Sequence, residues 1–323
     1  MSYVESLDLR IGAIMGWDPN PWLRSDMENS EVARQFLSSP KPGLREWAQR
    51  LLVVPRYEGL EMVHRPNLLV HSMAVKALAI RMGFILDELE DEQIFFDFLP
   101  GDLIVFANHH DIAEIYTSDI PAPVKKTMSK EQRLDLQQKE DEACRKLCRE
   151  LFGYKDKEEI NCYLALQATM KEKTSTEAQI VNLADKFDCL GEKIHEIVCG
   201  NSSFIPLVEN SRTAFEELSS YSFYQYLEGD FGLAHIPDEE ELRRLPRLTK
   251  NDLCPNLPPL ENPAVKRALS FWPACYVKWL EARLDLFWGI PYDQEIFYKA
   301  VFPGWFPGFA EKLGFSSPSV RPA

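Results

Sequence analysis

"GDLIVFANHHDIAEIYTSDIP", residues 101 to 121, sets an apolar run ahead of two histidines, an aspartate and a glutamate. Spacing at three and four residues predicts a helix, capped by Asp102 and running to about Thr117, where "TSDIPAP" ends it with two prolines. The same period recurs on both sides. "NLLVHSMAVKALAIRMG", residues 67 to 83, predicts a helix closed by Gly83. "SKEQRLDLQQKEDEACRKLCRELFG" starts at Ser129, alternates charges at helical spacing, ends at Gly153 and belongs mostly on the surface. "STEAQIVNLADKFDCLGEKIHEIVCG", residues 175 to 200, turns Ile180, Leu183, Phe187 and Leu190 inward. Ser175 or Thr176 caps it, with Glu177 at the positive end of its dipole. No run alternates with period two, so the fold class is all-α.

Composition narrows the function. The 323 residues are 45% hydrophobic and 27% charged, the balance of a soluble globular protein with a real core. No stretch of about eighteen apolar residues predicts a membrane span. The first residues lack a basic region followed by an apolar run and a cleavage site, so no membrane partner and a cytoplasmic location are expected. Cys144, Cys148, Cys162, Cys189, Cys199, Cys254 and Cys275 form no CxxC pair and are expected to be reduced. A net charge of -14 argues against nucleic acid as a partner. A phosphate-bearing small molecule is compatible with it if a metal ion and a few basic side chains reverse the field locally. Residues 1–44 read as an N-terminal extension and 45–200 as the core. Residues 201–323 read as an aromatic-rich helical C-terminal extension that packs on the core or a partner subunit, with a proline-rich connector at 253–265.

One constellation carries chemistry. His71, the adjacent pair His110 and Asp111, and Asp185 stand on three separate predicted helices. Imidazole and carboxylate ligands with open positions suit a hard or borderline divalent ion, and two of each offset its charge. Neighbours on a regular helix point about 100° apart, so His110 and Asp111 share an ion only between their faces or where the helix is distorted. Singly, His71 reads as a core histidine and Asp185 as a solvated carboxylate; the joint pattern outweighs both.

With H…HD…D in place, the chain resembles the HD-domain metal-dependent phosphohydrolases, an all-α bundle. "HDIAEIYTSDIPAPVK", "VHSMAVKALAI" and "VNLADKFDCL" are similar to segments of the bacterial 5′-deoxynucleotidases. The likeness extends to Arg56 and Tyr57, fifteen residues ahead of His71, and covers roughly residues 45 to 200. It implies one divalent ion (Mn, Co, Fe, Ni, Zn or Mg) held by His71, His110, Asp111 and Asp185. It further implies that Arg56 orients a phosphate, that Tyr57 packs on the sugar, and that Ile120, Pro121 and Ala122 continue the substrate wall. Tyr57 replaces the family's tryptophan, and Val70 its usual glutamate. Glu114, one turn beyond His110, can hold or deprotonate a water. Asp119 reaches either a sugar hydroxyl or a catalytic water, or it stabilises the turn before Pro121. Lys125 and Lys126 add positive potential or face solvent.

The resulting expectation is a nucleotide partner: hydrolysis of a nucleoside (deoxy)5′-monophosphate. The alternatives are a larger nucleotide such as a triphosphate, or a non-catalytic nucleotide sensor. No histidine separates Asp111 from Asp185, which disfavours a two-metal site. His195 lies about 15 Å along the helix from Asp185, too far to join the ion. Pairing into a homodimer is implied by the resemblance and left open by composition.

Overall fold

Asn67 opens the first long helix, α1 (Leu68–Glu88), its side chain accepting the Val70 N–H at 3.0 Å. The computed structural model describes residues 50–62, 65–89, 94–150 and 157–244, with Pro263, Arg267, Trp272, Ala274, Cys275, Tyr276, Lys278, Trp279 and Ala282. Among these the only β pairing is an isolated bridge between Pro55 and Asn67. Among the described residues the expected all-α class holds.

Gly83 does not close α1, which continues to Glu88. A Cβ at Gly83 would lie 2.7 Å from Leu103 Cδ1 and 3.3 Å from a Phe98 ring carbon. The glycine is needed for close approach of α2 (Pro100–His109), every residue of which is buried. α1 is also long and apolar enough to cross a membrane by length and composition, which the sequence reading did not anticipate. Of its most apolar stretch, 67% is buried inside the protein, as befits a core helix.

Asp102 is not the cap of α2; Leu99 is, and its N–H donates to Glu177 Oε1 at 3.0 Å. The remaining helices of this region are α3 (Glu114–Thr117), α4 (Ala122–Thr127), α5 (Lys130–Glu150), α6 (Lys157–Glu172) and α7 (Thr176–Val198). A capping box starts α5. Ser129 Oγ accepts the Gln132 N–H at 3.2 Å and Gln132 Oε1 accepts the Ser129 N–H at 2.8 Å. Only Ala143, Cys144, Leu147 and Cys148 of α5 are buried, so it is a surface helix as expected. α6 was not expected; it packs against α5 and α2. Ser175 caps α7, accepting the Ala178 N–H at 3.2 Å.

The chain divides into two compact units. Of the described residues, the first holds those up to Leu60 and those within Pro66–Asp185; the second holds those within Glu61–Arg65 and those from Lys186 on. In the second, the later part of α7 is joined by α8 (Ile205–Glu209), α9 (Ser211–Leu218), α10 (Tyr224–Leu227) and α11 (Glu239–Arg244). Its core is aromatic: Phe187 meets Phe231 at 5.2 Å between centroids, and Trp272 meets Phe215 at 5.6 Å. A Cβ on Gly191 would collide with the Trp279 ring, whose Nε1–H donates to buried Asp188 at 2.8 Å. His195 bonds Tyr276 through Nδ1 at 3.1 Å. Six cysteines are free, and Cys254 lies outside the described residues, as do the expected N-terminal extension and nearly all of the connector.

Candidate metal centre

The turn after α2 brings the two adjacent ligand candidates together. The helix expected to run unbroken to Thr117 stops at His109 and resumes at Glu114. Between them the bonds span three residues, from the Glu114 N–H to Asp111 O and from the Tyr116 N–H to Ala113 O, both 3.0 Å. This tighter winding changes the angle between successive side chains, so His110 and Asp111 converge. His71, fully buried on α1, and Asp185 on α7 complete the group. His71 Nε2 lies 3.2 Å from His110 Nε2, 3.3 Å from Asp111 Oδ2 and 3.3 Å from Asp185 Oδ1. His110 Nε2 is 3.2 Å from Asp111 Oδ2, and the four candidate ligand atoms all fall within 4.8 Å of one another.

The donor set fits a divalent cation. His110 Nδ1 is 2.7 Å from Ala107 O, an acceptor only, so Nδ1 carries a hydrogen and Nε2 is the nitrogen that faces the cluster. Two imidazole nitrogens and two carboxylates crowded at this range repel one another unless a positive charge sits among them. Burial opposes ionisation of Asp111, yet His110 and His71 beside it hold its carboxyl well below the usual range. A deprotonated carboxylate is what an ion requires.

Of the other expected residues, Arg56 touches the cluster and Glu114 lies within reach of the Asp111 charge. Arg56, 4% exposed, places Nη1 3.6 Å from Asp111 Oδ2, and its guanidinium lies over the Tyr57 ring at 5.0 Å. Tyr57 is buried with φ +54°, and Ser118, with φ +62°, precedes Asp119. Both are sparsely populated conformations for residues with a side chain. Glu114 Oε1 is 3.9 Å from Lys125 Nζ, and its Oε2 is buried with no hydrogen-bond partner among the described residues. Burial, then the charges of Asp111 and Asp119, push the Glu114 carboxyl well above its ordinary range against Lys125 and Arg56. Ile120 is half-buried and Pro121 buried; Ala122 opens α4, its side chain outside those described. Lys126 is exposed. A cavity of about 140 Å³ lies beside His110, Asp111 and Asp185, walled by Gln167, Met170 and Val181.

The sequence reading left two participants unnamed. His109 points to α6, where Tyr163 Oη meets its Nδ1 at 3.0 Å and Gln167 Nε2 donates to its carbonyl at 3.2 Å. Their four-residue spacing was the available signal, but no helix was expected there to give it meaning.

The family model described as 5′-deoxynucleotidase YfbR-like matches residues 44–229. The 5′-deoxynucleotidase PM0747 of Pasteurella multocida (strain Pm70) is 29% identical over 76 residues, 24% of this chain and 37% of that protein. The match thus spans little more than a third of that relative's length. Among solved structures, the PH0347 protein from Pyrococcus horikoshii OT3 is 23% identical with a TM-score of 0.41, over 57% of this chain and 92% of that one. An HD-domain phosphohydrolase from Listeria innocua is 20% identical with a TM-score of 0.47, over 61% of this chain and 90% of that one. With the family match covering more than half of its 323 residues, the chain belongs to the YfbR-like 5′-deoxynucleotidase family.

Proposed function

We propose that this enzyme hydrolyses a nucleoside 5′-monophosphate, a deoxynucleotide first, to nucleoside and phosphate. The observation that carries the reading is the buried guanidinium of Arg56, 3.6 Å from Asp111 in an acidic protein. A cation held against the metal cluster is the feature a phosphate ester needs and most other esters do not.

In this reading His71, His110, Asp111 and Asp185 hold one divalent ion. Such an ion stabilises charge on the phosphoryl oxygens and acidifies water in its coordination sphere. Arg56 binds and orients the phosphate, with Lys125 adding positive potential. Glu114 accepts the attacking water's proton at Oε2, the oxygen with no hydrogen-bond partner among the described residues. The water oxygen bonds to phosphorus, the bond from phosphorus to O5′ breaks, and that oxygen leaves as the nucleoside hydroxyl with the proton Glu114 gives back. The Tyr57 ring packs on the sugar, the second oxygen of Asp119 accepts from a sugar hydroxyl, and Ile120, Pro121 and Ala122 extend the wall. The catalytic core is residues 45–200, with 1–44 and 201–323 as extensions.

The test is turnover of purified protein loaded with Mn(II) or Co(II) on ribo- and deoxynucleoside mono- and triphosphates. Phosphate from monophosphates alone is expected. Release of triphosphate would transfer the reading to a larger nucleotide, and bound metal without turnover would leave a sensor.

A further inference from the structure

We propose that Tyr163 and Gln167 of α6 are positioning residues that set the geometry of the His110 and Asp111 pair; the proposal rests on the reading of that pair as metal ligands. His109 is the hinge. It is the last residue of α2, and the chain leaves the helix through the peptide that joins it to His110. At such an exit a carbonyl loses its regular partner. The Ile112 N–H reaches the His109 carbonyl only at 3.5 Å, whereas the Gln167 Nε2–H donates to it at 3.2 Å. The bond that the broken helix lacks is supplied from α6.

The second tie grips the ring. Gln167 Nε2 also donates to Tyr163 Oη at 2.8 Å, and that hydroxyl meets His109 Nδ1 at 3.0 Å. A backbone carbonyl only accepts, so the amide nitrogen must face His109 and the amide cannot turn over. The arrangement that uses each group once has the Tyr163 hydroxyl accepting from Gln167 and donating to His109. In that arrangement His109 Nδ1 is the acceptor of the Tyr163 hydroxyl hydrogen. Tyr163, Gln167 and His109 are 0%, 6% and 7% exposed, so water does not compete for these bonds. Main chain and side chain of one residue are therefore both fixed by α6, and the next two residues are the candidate ligands. Gln167 also lines the cavity with His110, Asp111 and Asp185, so it stands beside the place its influence is felt.

Partners that orient metal ligands change affinity by about ten- to a hundredfold when removed. The experiment is Co(II) titration of the full chain, followed by visible absorption, together with thermal unfolding of the metal-free protein. Gln167→Leu is expected to weaken Co(II) binding within that range, to shift the absorption bands, and to lower kcat while KM stays within about twofold. Tyr163→Phe, which removes one oxygen, is expected to change affinity and bands in the same direction by less. A merely structural role would lower the unfolding temperature and leave the affinity and bands of the folded protein unchanged, and that result overturns the proposal. Should Gln167→Leu not fold, unchanged Co(II) affinity and bands in Tyr163→Phe overturn it equally. His110→Ala separates the two layers: wild-type Co(II) binding in that variant defeats the ligand reading itself, whatever α6 does.

Discussion

Asp119 Oδ2 accepts a hydrogen bond from the backbone N–H of Tyr57 at 2.5 Å, joining the turn before α4 to the segment that carries Arg56. The bond holds Tyr57 at φ +54°, which in turn sets where the neighbouring guanidinium enters. Asp119→Ala is expected to lower kcat/KM by about a hundredfold, since misplacement by an ångström costs that much. Asp119→Asn keeps an acceptor and should lose less. Equal losses in the two variants would show that the carboxylate charge, and not the tie to Tyr57, is what matters.

Arg56→Lys keeps the charge and loses the planar fork. Bidentate recognition of phosphate depends on that fork, so KM for a monophosphate is expected to rise by about tenfold or more, with Co(II) affinity nearly unchanged. Steady-state kinetics and metal titration on the same preparation check both halves.

Replacing the candidate ligand Asp111 by Ala is expected to abolish metal binding and phosphate release together, whereas Glu114→Gln should retain metal and lose about a hundredfold or more in kcat. Chelation should also lower the unfolding temperature of the parent protein: a ligand at a hundred times its Kd contributes about 2.7 kcal/mol to the folded state. An Asp111→Ala variant that stays fully active would mean the cluster is misassigned.

Lys76 makes a different, metal-independent prediction. Its Nζ is buried on α1 without a hydrogen-bond partner among the described residues, and burial lowers its pKa from 10.5 to about 7. Between those values the unfolded chain binds more protons than the folded one, so stability should rise with pH from about 7 toward 10.5. Below pH 7 the group is charged in both states and the destabilisation is complete, up to about 5 kcal/mol. Lys76→Met is expected to raise the unfolding temperature at pH 7 and to flatten its rise with pH above 7. Calorimetry across that range decides it.

The helices were legible where apolar period and cap residues agreed, as at Ser129 to α5 and Ser175 to α7. Sequence failed where a contact from another element overrode the local signal. Asp102 has the chemistry of a cap, but Glu177 already accepts the Leu99 N–H, and Gly83 reads as a terminator until Leu103 is seen to need its space. The break at His110 could be stated as a requirement for shared ligation, yet nothing local marks it, because the Gln167 bond that replaces the lost helical one comes from a distant segment. The cluster of His71, His110, Asp111 and Asp185 was legible because ligand chemistry restricts residue types more tightly than packing does. Tyr163 and Gln167 were not, since tyrosine and glutamine carry no such restriction.

Glu177 and Asp185 lie on one helix and meet the two ends of another stretch: the first takes the N–H that begins α2, the second sits beside His71 in the cluster that also holds the residues just past the end of α2. The eight-residue interval between them therefore works as a gauge. One inserted residue would swing Asp185 by about 100° and advance it about 1.5 Å while Glu177 stayed in place. Substitutions in that interval should be absorbed by repacking, but insertions and deletions should not, so the segment is fixed in length before it is fixed in sequence.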